Sequence, residues 1–399
     1  MRYSKLEKLW DGIKLLRNLK CMDLANSENL KELPNLSMAT SLEELNLEGC
    51  SSLVELPSSV GNLTNLQKLS LEGCSRLVSL PQLPDSPMKQ EISSSRHQLL
   101  DWWSYPLLRN LKRMDLAYSE NLKELPNFSM ATSLEHLDLR GCLSLEELPS
   151  SIGDLTNLWK LDLRGCLSLV EVPSSIGDLT NVWELYLSEC LSLVELPSSI
   201  GNLTNLHALV LKGCSSLVEL PSSIGNLTNL HKLSLEGCSR LVSLPQLPDS
   251  LMVLNAENCE SLEKLDCSFS NPGTWLNFSY CFKLNKEARD LLIQTSSVNV
   301  VVLPCKEVPA CFTYRGYGSV FCCIRDKLNR FSVHSPIITE HLYIFEVEVE
   351  EVTSTELVLD FEIFDYDSKT REIIECGIIH ILEHHVDGDE KMAMKMETM

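Results

Sequence analysis

Cysteine is the residue type in this chain with the most obvious capacity for chemistry. Nine of its 16 cysteines occupy the same position of a repeated Leu-x-Leu-x-x-Cys pattern, and most neighbouring copies lie 24 residues apart. Thiolates could bind zinc or pair as disulfides, but this even spacing matches neither the Cys-x-x-Cys spacing of zinc sites nor a compact disulfide framework. We interpret them as small buried side chains whose S–H groups help satisfy the loop backbone. The members of this cysteine ladder are Cys50, Cys74, Cys142, Cys166, Cys190, Cys214, Cys238, Cys259 and Cys281.

Two groups near the C-terminus could also do chemistry. Asp365 and Asp367 begin like a calcium-binding loop, but lysine, threonine and cysteine stand where that loop needs an acid, a glycine and a bidentate glutamate. His380 and His384 lie beside Cys376, yet the local pattern indicates a strand, so they do not share a helix face. The sequence contains no phosphate-binding loop, nucleophile elbow or zinc-protease motif. It therefore predicts no catalytic residue, no metal, no cofactor and no enzyme.

The cysteines belong to a repeat of 24 residues, typified by LVELPSSIGNLTNL followed by Leu-x-Leu and Gly-Cys. The period-two leucines predict a short strand with one face inward, and the proline of Leu-x-x-Leu-Pro predicts a return turn on the convex side. Eleven copies occur, two of which carry Ser27 and Ser119 in the cysteine position. Self-similarity at this period predicts an α/β leucine-rich repeat solenoid, a horseshoe with a parallel β-sheet on its concave face.

The repeats fall into an abridged and a complete block, because residues 15–50 reappear at 107–142 with six changes. Between the blocks lies an irregular loop or a degenerate repeat, and we favour the repeat because Leu-Leu-Asp-Trp-Trp roughly matches the start of the chain. After the repeats, β-branched runs separated by turn residues predict a small all-β sandwich or jelly-roll-like domain that also covers the open end of the solenoid. The predicted segments are 1–88 (first block), 89–106 (irregular or degenerate repeat), 107–284 (second block), 285–295 (linker helix), 296–385 (β-sandwich) and 386–399 (disordered tail).

The six changes between the two copies suggest where the chain meets a partner. Four of them fall on alternating outward positions of the predicted strands, while the leucines, methionines and prolines of the frame are kept apart from Leu36, which is Phe128 in the second copy. A recognition face that diversifies on a fixed scaffold explains this pattern, and so does drift on a surface that tolerates change. Exposed aromatic residues beside mixed charges are typical of binding hot spots. The predicted partner-binding residues are Arg113, His136, Asp138, Arg140, Trp159, Lys160, Asp162, Arg164, Trp183, Glu184, Tyr186, His207, Val210, Lys212 and His231.

A less specific interpretation of this face is also open. The rings of Trp159 and Trp183 would then only cover neighbouring repeats. The aspartates Asp115, Asp138 and Asp162 would be solvated charges, balanced by neighbouring basic side chains. For a single residue this interpretation is the simpler one, whereas the patch as a whole favours binding.

Composition limits the partners and the compartment. A net charge of -21 disfavours binding to nucleic acid or to an anionic membrane. No apolar run approaches the ~20 residues of a membrane-spanning helix, and charged residues interrupt every apolar run near the N-terminus, which predicts no signal peptide. A ladder of free thiols indicates a reducing compartment. We therefore predict a cytoplasmic protein, with the nucleus as a second compartment.

Three stretches of the sequence resemble the C-terminal half of plant TIR-type nucleotide-binding leucine-rich repeat (TIR-NB-LRR) immune receptors. These stretches are SKLEKLWDGIKLLRNLKCMDLANSENLKELPNLS, the LVELPSSIGNLTNL repeats, and PQLPDSLMVLNAENCESLEKLDCSFSNPGTWLNFSYCFKLNKEARDLLI. VVLPCKEVPACFTYRGYGS then resembles the opening of the family's post-repeat jelly-roll/Ig-like domain (C-JID), with Cys305 in place of the usual glycine. The family's TIR and nucleotide-binding modules have no counterpart here, so the resemblance carries over no catalytic residue.

The resemblance implies an intracellular immune receptor fragment that binds proteins in plant defence. In that family, the repeats and the terminal domain sense pathogen effectors and restrain the nucleotide-binding module. The implied partners are a pathogen effector or a host guard protein, and the nucleotide-binding module of a receptor in cis or in trans, with no nucleic acid and no membrane. Two alternatives stay open, namely an extracellular leucine-rich repeat receptor ectodomain and a truncated or recombined receptor product without autonomous function.

Overall fold

The computed structural model of the chain describes residues 1–80, 109–269 and 274–294, together with the backbone of five later strands. Eleven repeat strands in these residues pair in parallel and in chain order into one sheet, which confirms the predicted solenoid. Two further short strands form a separate ladder. The strands of the sheet are β1 (Cys21–Asp23), β2 (Glu44–Asn46), β3 (Lys68–Ser70), β4 (Arg113–Asp115), β5 (His136–Asp138), β6 (Lys160–Asp162), β7 (Glu184–Tyr186), β8 (Ala208–Val210), β9 (Lys232–Ser234), β11 (Val253–Asn255) and β13 (Trp275–Asn277), and those of the ladder are β10 (Ser243–Leu244) and β12 (Lys264–Leu265).

A leucine-to-leucine register stacks the repeats. The middle residue of each strand faces the core and pairs with the middle residue of the next strand, as Leu161 does with Leu185 and Leu185 with Leu209. These three leucines are at most 1% exposed, and burying such a side chain contributes roughly 1.5–3 kcal/mol. Because each repeat buries its core face against its neighbours, the described repeats share one continuous hydrophobic core.

Proline and glycine shape the convex side. Five 3₁₀ turns in the described residues each follow a proline in extended conformation, with φ between -65° and -67°, which confirms proline as the residue that sets the turn. A Cβ atom on Gly177 would lie 2.5 Å from the carbonyl oxygen of Ser199, so only glycine lets adjacent turns approach this closely. The turns are Ser58–Asn62, Ser150–Asp154, Ser174–Asp178, Ser198–Asn202 and Ser222–Asn226.

The cysteine ladder is structural. Each Sγ donates to a backbone carbonyl oxygen of the preceding repeat, as Cys166 does to Leu139 at 3.2 Å, and Ser119 makes the equivalent bond to Leu71 at 3.1 Å. The eleven cysteines within the described residues are all free. Burial raises the pKa of Cys50 to about 11 and that of Cys166 to about 12, so both are protonated thiols at neutral pH. Because the thiolate is the form that binds metal or attacks, the predicted structural role is confirmed for this ladder.

The sheet crosses the junction between the two repeat blocks without a gap. Strands β3 and β4 pair directly, with Lys68 opposite Arg113. Residues 81–108, which include the predicted segment 89–106, lie outside the described residues. The interpretation of this segment as a degenerate repeat stays a prediction, as does the division of the chain into the predicted domains.

The described part of the C-terminal region is a helix followed by strands. The first of these strands pairs in parallel with β13 and an antiparallel strand follows it, so the concave sheet continues past the repeats, which we did not predict. Three other strands form a separate antiparallel sheet. The sandwich or jelly-roll itself stays a prediction, and the groups around Asp365 and His380 and the tail 386–399 lie outside the described residues. The elements are α1 (Lys286–Gln294), β14 (Val300–Pro304) and β17 (His341–Phe345) beside β13, and β15 (Phe321–Arg325), β16 (Arg330–Val333) and β18 (Val358–Glu362) in the separate sheet.

None of the helices in the described part of the chain combines the length and the apolar character needed to cross a bilayer.

Candidate functional site

The 15 predicted partner-binding residues fall into four columns on the concave side of β4 to β9. Members of a column come from successive rungs, whose parallel pairing places neighbours about 4.8 Å apart. The structure therefore places all of them along one face of the sheet. The columns are Trp159, Trp183, His207 and His231 just before the strands; Arg113, His136, Lys160 and Glu184 at the first strand position; Asp138, Asp162, Tyr186 and Val210 at the third; and Arg140, Arg164 and Lys212 two residues beyond.

Two of the predicted contact residues, Asp138 and Asp162, do not lie on the surface. They are only 5% and 1% exposed, so the interpretation of these aspartates as solvated charges is wrong. Arg140 Nε donates to both carboxylate oxygens of Asp138 at 2.9 Å, and Arg164 donates from Nε at 2.8 Å and from Nη2 at 2.6 Å to Asp162. The hydrogen bond to Asp162 raises the pKa of the Arg164 guanidinium. The buried acids thus hold the two arginines in place rather than contact a partner.

Tyrosine rings flank the two locked guanidinium groups. The Arg164 guanidinium carbon and the Lys160 ammonium each lie 5.1 Å from the centre of the Tyr186 ring. On the other side, Arg140 lies 5.9 Å from the ring of Tyr118. Such cation–π contacts contribute ~0.5–1 kcal/mol at exposed sites and restrict the rotamers of the side chains that make them. The centre of the surface is therefore ordered before any partner arrives.

Tyr118 is a residue of this surface that was missing from the predicted set. It occupies the position that glycine holds in most repeats, with φ of 57°, and its side chain is 49% exposed. A Cβ atom on Gly141 of the next repeat would lie 2.6 Å from the Tyr118 ring, so the ring lies directly on that glycine. The sequence could have indicated this residue, because a tyrosine in a position where most repeats have glycine is unusual and must accommodate a large side chain.

An aromatic edge borders the surface. Trp183 and His207 have ring centres 4.4 Å apart, and His207 stacks on His231 at 5.0 Å. Trp159 contacts His136 edge-on at 6.0 Å. The alternative that the tryptophans only cover neighbouring repeats fits these contacts in part, but Trp159 and Trp183 remain 42% and 54% exposed. Large exposed aromatic side chains on a rigid support are frequent anchors of protein interfaces.

The remaining predicted residues differ in whether they form ion pairs and in how deeply they are buried. Lys160 Nζ lies 3.6 Å from Glu184, whereas Arg113 is exposed and forms no ion pair with any described residue. His136 is half-buried, and burial lowers its pKa, so its imidazole is neutral at physiological pH. The described residues contain no group of three or more His, Cys, Asp or Glu side chains that could hold a metal ion. The chemistry available here is hydrogen bonding, ion pairing and aromatic contact.

Comparison with protein families supports the repeat assignment. Models described as Leucine Rich Repeat match residues 1–14, 41–63 and 133–155. Among solved structures, the leucine-rich repeat domain of the type III effector XopL has 27% identity and a TM-score of 0.40 over 65% of this chain and 76% of that one.

Several proteins of Arabidopsis thaliana are similar to this chain, and two of them match along almost its whole length. The "Probable disease resistance protein RPP1" is 38% identical over 95% of this chain and 39% of its own length. "Disease resistance protein RML1B" is 31% identical over 94% of this chain and 36% of its own length. A shorter match of 60 residues reaches 67% identity with "Disease resistance protein RPS6". The chain thus spans less than half the length of the first two relatives. With the repeats described above, these similarities show that the chain is related to the C-terminal, leucine-rich repeat part of plant TIR-NB-LRR disease resistance proteins.

Proposed function

We propose that this chain is the recognition part of an intracellular plant immune receptor and that its concave face binds a protein. The bound protein is a pathogen effector or a host protein that the receptor guards. The observation that carries the proposal is the ordered surface on β4 to β9, where exposed tryptophans adjoin arginines that buried aspartates hold in place. A rigid surface of this kind loses little conformational entropy on binding, which favours the recognition of a partner.

The relationship to disease resistance proteins supports the defence role, because those relatives carry that role in their names. A second contact on the same solenoid, with the nucleotide-binding module of a receptor in cis or in trans, would restrain that module until the concave face is occupied. The free cysteine ladder supports a reducing compartment such as the cytoplasm. No part of the proposal requires an enzymatic activity of this chain.

An interaction screen tests this function directly. The chain is expressed in yeast against a library of secreted pathogen proteins, and in parallel against nucleotide-binding modules of plant receptors. We expect at least one pathogen protein or host target to bind, and we expect its co-expression with the chain and a matching nucleotide-binding module in leaf tissue to alter the defence response. A chain that binds no member of either set, or binds without any change in defence output, would contradict the proposal.

A further inference from the structure

The concave surface changes character at β8, where charged side chains give way to small apolar ones. The outward strand positions hold Lys160 and the buried Asp162 on β6, but Ala208 and Val210 on β8. Both β8 residues are half-buried, with no polar group of their own. On the next rung Ser234 continues the row of small side chains opposite Val210. We call Ala208 and Val210 the β8 depression.

Larger side chains bound the β8 depression on two sides. Tyr186 lies opposite Val210 across the β7–β8 pair, and its ring is held by Lys160 of β6 and by Arg164, which follows that strand. The contacting rings of Trp183, His207 and His231, of which the two histidines stack, form the wall on the aromatic edge. Because larger rings stand on two sides of these short side chains, an apolar group of a partner that enters here would be shielded from water on those sides. Such shielded apolar positions carry most of the energy in protein interfaces.

One cation beside the depression is available to a partner. Lys232, which pairs with Ala208 across β8 and β9, is exposed and forms no ion pair with any described residue. Two other lysines nearby are already paired, since Lys212 lies 2.8 Å from Glu236 and Lys160 lies 3.6 Å from Glu184. An incoming carboxylate would therefore find its opposite charge at Lys232.

From this juxtaposition we propose that the partner segment recognised by this face carries an apolar side chain next to an acidic one. The apolar side chain lies over Ala208 and Val210, between Tyr186 and the ring stack, and the carboxylate pairs with Lys232. The inference rests on the proposed function for the use of this face, and it adds the chemical class of the bound segment. The partner is a protein, because the site needs an apolar side chain over β8 and an acidic side chain beside it over β9.

A phage-displayed library of random short peptides, panned on the whole chain, tests this inference without knowledge of any effector. We expect the enriched peptides to combine an aromatic or branched aliphatic residue with a neighbouring aspartate or glutamate. Their affinity, measured by titration calorimetry, should fall at least ~10-fold when Val210→Trp fills the depression. The same substitution at an exposed valine of the outer flank, Val170→Trp, is the matched control and should leave the affinity unchanged.

Charge reversal tests the acidic part of the motif. Lys232→Glu should weaken the enriched peptides, whereas Lys123→Glu, at an exposed lysine outside the concave face, should not. Circular dichroism melting curves confirm that each variant stays folded. The inference is overturned if no peptide is enriched, if the enriched peptides lack the acidic neighbour, or if Val210→Trp binds them as the wild type does. If the interaction screen fails but the peptide experiment gives the expected result, the defence role is contradicted while the proposed binding motif stands.

Discussion

At the scale of single residues, the central feature is a pair of arginines fixed by buried carboxylates. Asp162 is 1% exposed, and Arg164 covers it while remaining partly exposed itself. A buried carboxylate without its partner is costly, since the desolvation of the charge is then uncompensated. The arrangement gives the surface a guanidinium group of defined position, at the cost of making that residue important for folding.

Removing one of these arginines should therefore cost stability. We expect Arg164→Ala to lower the free energy of unfolding by about 2–4 kcal/mol, because Asp162 then keeps only the backbone N–H of residue 164 at 3.3 Å and the more distant Arg140, whose Nε lies 3.8 Å away. Arg113→Ala is the matched control, and as an exposed side chain without an ion pair it should change stability by less than ~0.5 kcal/mol. Urea unfolding followed by circular dichroism measures both. Equal effects of the two substitutions would contradict the claim that Arg164 stabilises the buried Asp162.

Asp115 gives a pH-dependent test. Burial, together with the charge of Asp138, raises its pKa above the ordinary value of 3.8. A carboxyl group with a raised folded-state pKa stabilises the fold fully below its unfolded pKa and loses that contribution as the pH rises through the folded one. We expect Asp115→Asn, which keeps the oxygen that accepts the N–H of Ala117, to raise the urea midpoint near pH 7. The gain should shrink as the pH falls towards about 4, and a gain independent of pH would contradict this account.

At the scale of elements, the repeat is what made the fold predictable. The leucines, the proline of each turn and the cysteine position recur so regularly that strands, turns and the inward face follow from periodicity alone. What could not be predicted depends on contacts between repeats. The burial of Asp138 and Asp162 requires the arginine two residues later to fold back over each of them, and the placement of Tyr118 requires a glycine on the next rung. Periodicity also says nothing about β14, which joins the concave sheet although it belongs to no repeat.

The glycines of the convex turns should tolerate substitution according to how closely the next turn approaches. A Cβ atom on Gly177 would lie 2.5 Å from the carbonyl oxygen of Ser199, whereas one on Gly225 would lie 3.0 Å from that of Gln246. We expect Gly177→Ala to destabilise the chain by about 1–3 kcal/mol and Gly225→Ala by clearly less. Thermal melting of the two variants gives the comparison. The reverse order would show that the turns are not packed as described.

At the scale of the whole molecule, the chain is an elongated scaffold whose stability and binding surface are largely separate. The core of leucines and cysteines runs along all the described repeats, while the candidate surface occupies only β4 to β9. This separation lets the surface vary while the frame is nearly constant, because residues 15–50 and 107–142 differ at one position of the hydrophobic core, Leu36 and Phe128, and otherwise outside that core.

The cysteine ladder gives a test on the entire chain. All eleven described cysteines are free, and the ladder members are buried. We expect a thiol reagent to modify Cys21 rapidly in the folded protein, because it is the exposed one among them, and to reach the ladder only after denaturation. Ladder cysteines that stay unreactive in denaturant without a reducing agent would reveal disulfides and favour the extracellular alternative.

The binding role of the concave face is the central claim, and one set of variants tests it most directly. Trp159, Trp183 and Tyr186 are replaced together by alanine, and the affinity for a partner found in the interaction screen is measured beside the melting temperature. The outer-flank variant with Val170 and Val194 replaced by alanine serves as the control. We expect the concave variant to lose at least ~10-fold in affinity with little change in melting temperature, and the control to bind as the wild type does. Unchanged affinity of the concave variant, or a loss that merely follows a collapse in stability, would contradict the claim.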